Sequence, residues 1–168
     1  MSDDDAPGAA RQKVTPCLWF RTDGEAALRL YTSLVPGSQI TSLQYSPGPD
    51  GEATLLAGFT LGGVEYRAIG GPAEFGPTEA FSLSVACADQ AEVDRYWDAL
   101  VADGGEEGPC GWLKDRWGVS WQIVPDRLGE LLADRDPARA GAALQAMFGM
   151  TRIVVADLEA AADSATQS

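Results

Sequence analysis

The chain has 168 residues, 45% of them apolar and 22% charged, enough to bury a core in a single domain of ordinary size. Twenty-five acids against twelve bases leave a net charge of −13, a field that repels phosphate backbones and anionic bilayers, so neither nucleic acid nor membrane is expected as a partner. Histidine is absent, which excludes Ser-His-Asp and Cys-His nucleophile systems, HExxH zinc sites and imidazole acid/base chemistry.

Residues 1–12 carry three consecutive Asp followed by Pro, Gly and Ala and read as a disordered tail. Val14 to Phe20 is a short apolar, partly aromatic run and reads as a strand. From Asp23, a candidate N-cap, the spacing turns helical, with Ala27, Leu30, Tyr31 and Leu34 on one face until Pro36-Gly37 stops it. Gln39–Ser46, Glu52–Leu61 and Val64–Gly70 read as three strands, separated by residues 47–51 and by the two-residue hairpin signal Gly62-Gly63. After a Pro/Gly-rich connection the pattern begins again with a strand at Ala80–Cys87. A helix capped by Asp89 follows, carrying Val93, Tyr96, Trp97 and Leu100 and ending at Gly104-Gly105. A short Glu106–Gly108 segment and strands at Cys110–Lys114 and Val119–Pro125 complete the second round, with a turn over Asp115–Gly118. Helices are predicted over Asp126–Asp134, from Pro137 with Ala140, Leu144, Met147 and Phe148 sharing a face, and over Ile153–Ala162; residues 163–168 fray.

An offset of 66 lays the two halves over each other: Asp23 falls on Asp89, Ala27 on Val93, Leu30 on Tyr96, Tyr31 on Trp97 and Leu34 on Leu100. The expectation is therefore an α+β chain with a duplicated, mainly antiparallel βαβββ core over 13–125 (units 13–71 and 80–125) and C-terminal helices over 126–162.

Two such units resemble the vicinal oxygen chelate superfamily, the glyoxalase/bleomycin-resistance group. The wording of residues 14–20, 28–40, 93–125 and 136–162, above all GWLKDRWGVSWQIVP ending at Pro125, resembles the PhnB-like proteins, whose domain is often described as 3-demethylubiquinone-9 3-methyltransferase. The resemblance covers about residues 13–162. It implies two curved sheets pairing around a cup, and a homodimer. Catalytic members of the superfamily hold one divalent ion through four side chains, mostly His and Glu. Carried onto this chain, those positions read Pro16, Arg67, Ser82 and Gln122. Proline has no side-chain donor atom, serine is a weak ligand and guanidinium is a cation, so no metal site is expected there.

What the resemblance leaves is a cup without an ion, and hence a pocket for a small aromatic or amphipathic molecule. Its candidates are Pro16, Leu18, Trp19, Arg67, Ser82, Ser84, Cys110, Trp112, Trp121 and Gln122. Trp19 and Trp121 read equally as core, and Trp121 and Gln122 must point to opposite faces of one strand unless a bulge intervenes. No cofactor is expected, because none of the Gly-Gly pairs opens a helix after a strand as an S-adenosylmethionine loop would. Cys17, Cys87 and Cys110 form no CxxC pair and suit a reducing cytoplasm, and no run reaches the roughly 18 apolar residues of a membrane span. Two other readings stay open: an enzyme, either the methyltransferase of the family description or a metal-dependent lyase/isomerase, and a dimeric structural or regulatory module built on the helices of 126–162.

Overall fold

The computed structural model describes residues 12–48 and 51–165. The expectation of a disordered tail therefore lies outside the described residues for 1–11, and the turn at 47–51 is described only in part. Gln12 is not tail-like: its amide donates to the Val14 and Glu65 carbonyls (2.9 and 3.0 Å) and accepts from Glu65 N (3.1 Å). The chain folds as two compact units that divide between Ala73 and Glu74.

The first unit runs β1 (Cys17–Phe20), α1 (Gly24–Leu34), β2 (Gln39–Pro47), β3 (Ala53–Leu61) and β4 (Val64–Gly70). The strands form one sheet in the order β1-β4-β3-β2, with β1 parallel to β4 and the remaining pairs antiparallel. Alternation decides the faces. Leu18 and Phe20 are buried on the side that α1 covers, and Phe20 meets Tyr31 of the helix at 6.2 Å between ring centroids. The buried stripe of α1 is Gly24, Ala27, Leu28 and Tyr31, so Leu28 takes the place expected for Leu30. Gly24 lets the helix start close to the sheet, since a Cβ there would lie 3.0 Å from Leu55 Cδ2. Gly62 and Gly63 both have left-handed φ (54° and 84°), the conformation a two-residue hairpin needs to match the strand twist.

The second unit opens with β5 (Ser82–Cys87), α2 (Gln90–Val101), β6 (Glu106–Glu107), β7 (Trp112–Lys114) and β8 (Ser120–Pro125), in the sheet order β5-β8-β7-β6. Again the first strand lies parallel to the last, so the βαβββ topology occurs twice. Asp89 caps α2 by accepting from Glu92 N (2.9 Å), while the Glu92 carboxylate accepts from Ala88 N (2.9 Å). The helix buries Val93, Tyr96, Trp97 and Leu100 as its spacing predicts, and the Trp97 indole donates to Glu107 at 2.8 Å. The turn between β7 and β8 closes on Asp115, buried at 3% exposure, whose carboxylate accepts from Trp117 N, Val119 N and Trp121 Nε1 (3.0, 3.0 and 2.9 Å).

Three helices complete this unit: α3 (Asp126–Leu132), α4 (Pro137–Phe148) and α5 (Val155–Ser164). They share a small core of Leu128, Leu131, Ala143, Ile153, Leu158 and Ala162. The inward face of α4 therefore centres on Ala143, and Phe148, predicted to share the apolar face, is 57% exposed. The last helix continues past Ala162, where Asp163 pairs with Arg139 and the Ser164 hydroxyl donates to Ala160 O. The segment before α5 is sewn to the rest of the unit. Met150 and Thr151 carbonyls accept from Cys110 N and Gly111 N (2.7 and 2.8 Å), and Arg152 pairs with Asp94 and Asp98 of α2. Turning those two N–H groups toward the segment requires left-handed backbone at both residues (φ 58° and 81°), which is why β7 begins at Trp112 and not at Cys110.

Candidate functional site

Each sheet has one face covered by its own helix and one that its helix leaves free. On the first sheet the free face carries Cys17 and Trp19 of β1, Arg67 and Ile69 of β4, and Leu56 of β3. The register puts Cys17 opposite Arg67 and Trp19 opposite Ile69. A hollow of about 550 Å³ opens here, lined by Lys13, Thr15, Cys17, Leu56, Arg67 and Ile69 together with Ala57 and Ala68. The lining residues before β1 alternate and skip Pro16, whose carbonyl instead accepts from Arg67 N (2.9 Å). Leu18 is buried on the helix side at 5% exposure. Trp19 is 37% exposed, and its indole donates to Gly71 O at 3.3 Å. Burial raises the Cys17 thiol and the Arg67 charge only partly opposes it, so the thiol stays neutral.

On the second sheet the free face carries Ser82 and Ser84 of β5, Ser120 and Gln122 of β8, Trp112 and Lys114 of β7 and Glu106 of β6. The Gln122 amide donates to the Ser82 hydroxyl at 2.8 Å. A hollow of about 450 Å³ is lined by Glu79, Glu106, Pro109, Trp112, Lys114 and Ser120, among others. Lys114 forms an ion pair with Glu79, whose carboxyl the hydrogen bond from Lys114 holds below its usual range; Glu79 raises Lys114 in turn. The Ser120 hydroxyl is buried at 1% exposure and has no hydrogen-bond partner among the described residues. Trp121, 1% exposed, lies on the helix side with its indole on Asp115. Cys110 stands before β7, half-buried and outside the strands.

Of the ten sequence candidates, the structure brings Trp19 and Arg67 onto one free face and Ser82, Ser84, Trp112 and Gln122 onto the other. Leu18 and Trp121 go to the cores of their units, and Pro16 and Cys110 precede their strands. The offset of 66 also slips on the first strand. Ser84 stands opposite Gln122 as Cys17 stands opposite Arg67, so the counterpart of Ser84 is Cys17; a one-residue slip turns a side chain to the other face. Lys13, Thr15, Lys114 and Ser120 line the hollows and were not among the candidates. Stepping by two from Trp19, Trp112 and Gln122 finds all four. A further hollow of about 740 Å³ lies elsewhere in the first unit, beside the start of α1, and holds none of the candidates. Within it Tyr45 OH and Arg29 donate to Glu25 (2.5 and 2.9 Å), which lowers the Glu25 carboxyl and raises the Tyr45 phenol, and Arg21, Asp23 and Glu52 also line it.

The free faces do not suit a divalent ion. Where the sheet registers bring first and last strands together, the side chains are a neutral thiol, a guanidinium, hydroxyls and an amide, with no carboxylate or imidazole. Among the described residues no group of three or more His, Cys, Asp and Glu could hold a metal ion. The links from β1 to α1 and from β5 to α2 read Arg21-Thr22-Asp23 and Ala88-Asp89 and hold no Gly-rich loop.

Residues 12–124 match the protein-family model described as 3-demethylubiquinone-9 3-methyltransferase. The chain belongs to that family. It is a PhnB-like member of the vicinal oxygen chelate superfamily, and its duplicated βαβββ architecture accords with that membership. The PhnB protein from Bacillus cereus is 36% identical, with a TM-score of 0.61 over 68% of this chain and 99% of that one. Protein PA1353 from Pseudomonas aeruginosa (22% identical, TM-score 0.57, 68% and 97% covered) shares the fold. So does the fosfomycin resistance protein FosX from Listeria monocytogenes (15% identical, TM-score 0.52, 75% and 100% covered). No curated protein gave a match. Helices α3, α4 and α5 lie beyond the matched residues. Among the described residues no helix is long and apolar enough to cross a membrane.

Proposed function

We propose that this PhnB-like protein binds a small aromatic or amphipathic organic molecule on the helix-free faces of its sheets, without using a metal ion. One observation carries the reading. The face that presents metal ligands in catalytic members of the superfamily here presents a half-exposed tryptophan beside apolar strand residues and a few polar groups. The hollows there are of ligand size. Elemental analysis and thermal-shift screening of the purified chain test it. The expectation is no stoichiometric zinc, nickel, iron or manganese, and a raised melting temperature with aromatic organic ligands, since a molecule bound to the native state stabilises it. One equivalent of tightly held metal, or indifference to every aromatic probe, overturns the reading. The family description favours a second reading, methyl transfer, which a saturable response to S-adenosylmethionine would support.

A further inference from the structure

Most of the described bases of this acidic chain sit within 4.0 Å of a carboxylate, on surfaces where acids outnumber them. Lys13 and Arg67 do not. They line one hollow, on the free face of the first sheet, and neither forms an ion pair among the described residues. The lining contains no carboxylate; the rest of it is a threonine hydroxyl, a thiol that burial keeps neutral, and apolar strand residues. Glu65, two residues before Arg67 on the same face, lines with Arg67 and Thr15 the adjoining hollow beside Gln12, and makes no ion pair with Arg67 among the described residues. In a chain with a net charge of −13, two cations lining one hollow that no carboxylate lines form a local well of positive potential. The second sheet differs: its hollow carries one cation, Lys114, already held by Glu79.

We infer that the hollow between Lys13 and Arg67 receives the oxyanion of an organic ligand, a carboxylate or a phosphate, whose apolar body lies over Leu56, Ile69 and Trp19. The Arg67 guanidinium is a planar fork that can bond two oxygens of such a group at once, Lys13 adds a point charge, and the Thr15 hydroxyl is a further donor within the same lining. The apolar strand residues and the indole supply the area that a free inorganic ion would leave uncovered. The inference rests on the proposed ligand-binding role of these faces and narrows it to one charge class.

Calorimetric titration of the full chain with benzoate, phenyl phosphate and benzyl alcohol tests it, because the three probes share a ring and differ in charge. At least one of the anions should bind about tenfold or more tightly than the alcohol, and the preference should shrink between about 0.05 and 0.5 M salt. Arg67→Gln and Lys13→Gln should each abolish most of the preference and leave the melting temperature unchanged, both side chains being exposed. Arg135→Gln removes an exposed base that also lacks an ion pair but lies in the other unit, and should leave the preference intact. Equal affinity for alcohol and anions, or a preference that survives Arg67→Gln, overturns the inference while the small-molecule reading stands. Failure of all three probes to bind overturns both.

Discussion

The two βαβββ units share a topology and differ in how each holds its corresponding turn. In the first, the hairpin between the last two strands is closed by Gly62-Gly63, whose backbone alone supplies the left-handed conformation. In the second, the same hairpin is closed by a buried carboxylate, Asp115, that collects two backbone N–H groups and an indole N–H. The helix starts differ in the same way. Asp89 and Glu92 cap α2 with side-chain bonds, whereas Asp23 sits at the matching position of α1 with φ 51° and makes no capping bond from its side chain. Topology is thus repeated through the strand pairing, while each unit has settled its local polar bookkeeping independently.

The largest test of that contrast is Asp115→Ala. It would remove the carboxylate that accepts from three N–H donors, two of them buried, and a cost of about 3–5 kcal/mol is expected from the unfolding midpoint in urea. In the first unit, Gly63→Ala forces a side chain into left-handed backbone, with open space around it, and should cost only about 1–2 kcal/mol in the same assay. A loss as large as that of Asp115→Ala would mean that the two turns are not held differently after all.

Ser120→Ala reverses the sign. Its buried hydroxyl lacks a partner among the described residues, so removing it should stabilise the protein by about 1 kcal/mol. A destabilised variant would show that the hydroxyl is engaged. The smallest effect at neutral pH lies at Cys87, where burial pushes the thiol up to about 12. An unfolded thiol ionises near 9 while the native one stays protonated, so the unfolded chain holds fewer protons above that pH. Stability should therefore be unaffected by this group at pH 7 and fall as pH climbs from about 9 to about 12. Cys87→Ala should flatten that part of the profile.

Strand and helix positions were legible because the periods are clean: the α2 stripe of Val93, Tyr96, Trp97 and Leu100 is buried as its spacing requires. What failed to read correctly depended on partners distant in sequence. Leu28 displaces Leu30 because the approach of α1 to its sheet is set by Gly24 against Leu55. Cys110 leaves its strand because Met150, forty residues on, offers its carbonyl. At the site the residue types are visible in the sequence, but the pleat divides neighbours: Leu18 and Trp19, or Trp121 and Gln122, cannot share one face, and Lys13 and Thr15 join the Cys17 side through alternation that continues ahead of the strand.

In both units the opening strand waits for the closing one. Cys17 pairs with Arg67 fifty residues later, and Ser82 with Ser120 thirty-eight later. A nascent chain emerging from the ribosome cannot seat β1 until β4 has been synthesised, nor β5 until β8 has. Until then β4 and β8, or their absence, leave an unsatisfied hydrogen-bonding edge available to a neighbouring chain. Assembly of each half should accordingly be late and abrupt, with the greatest risk of mispairing just before that final strand docks.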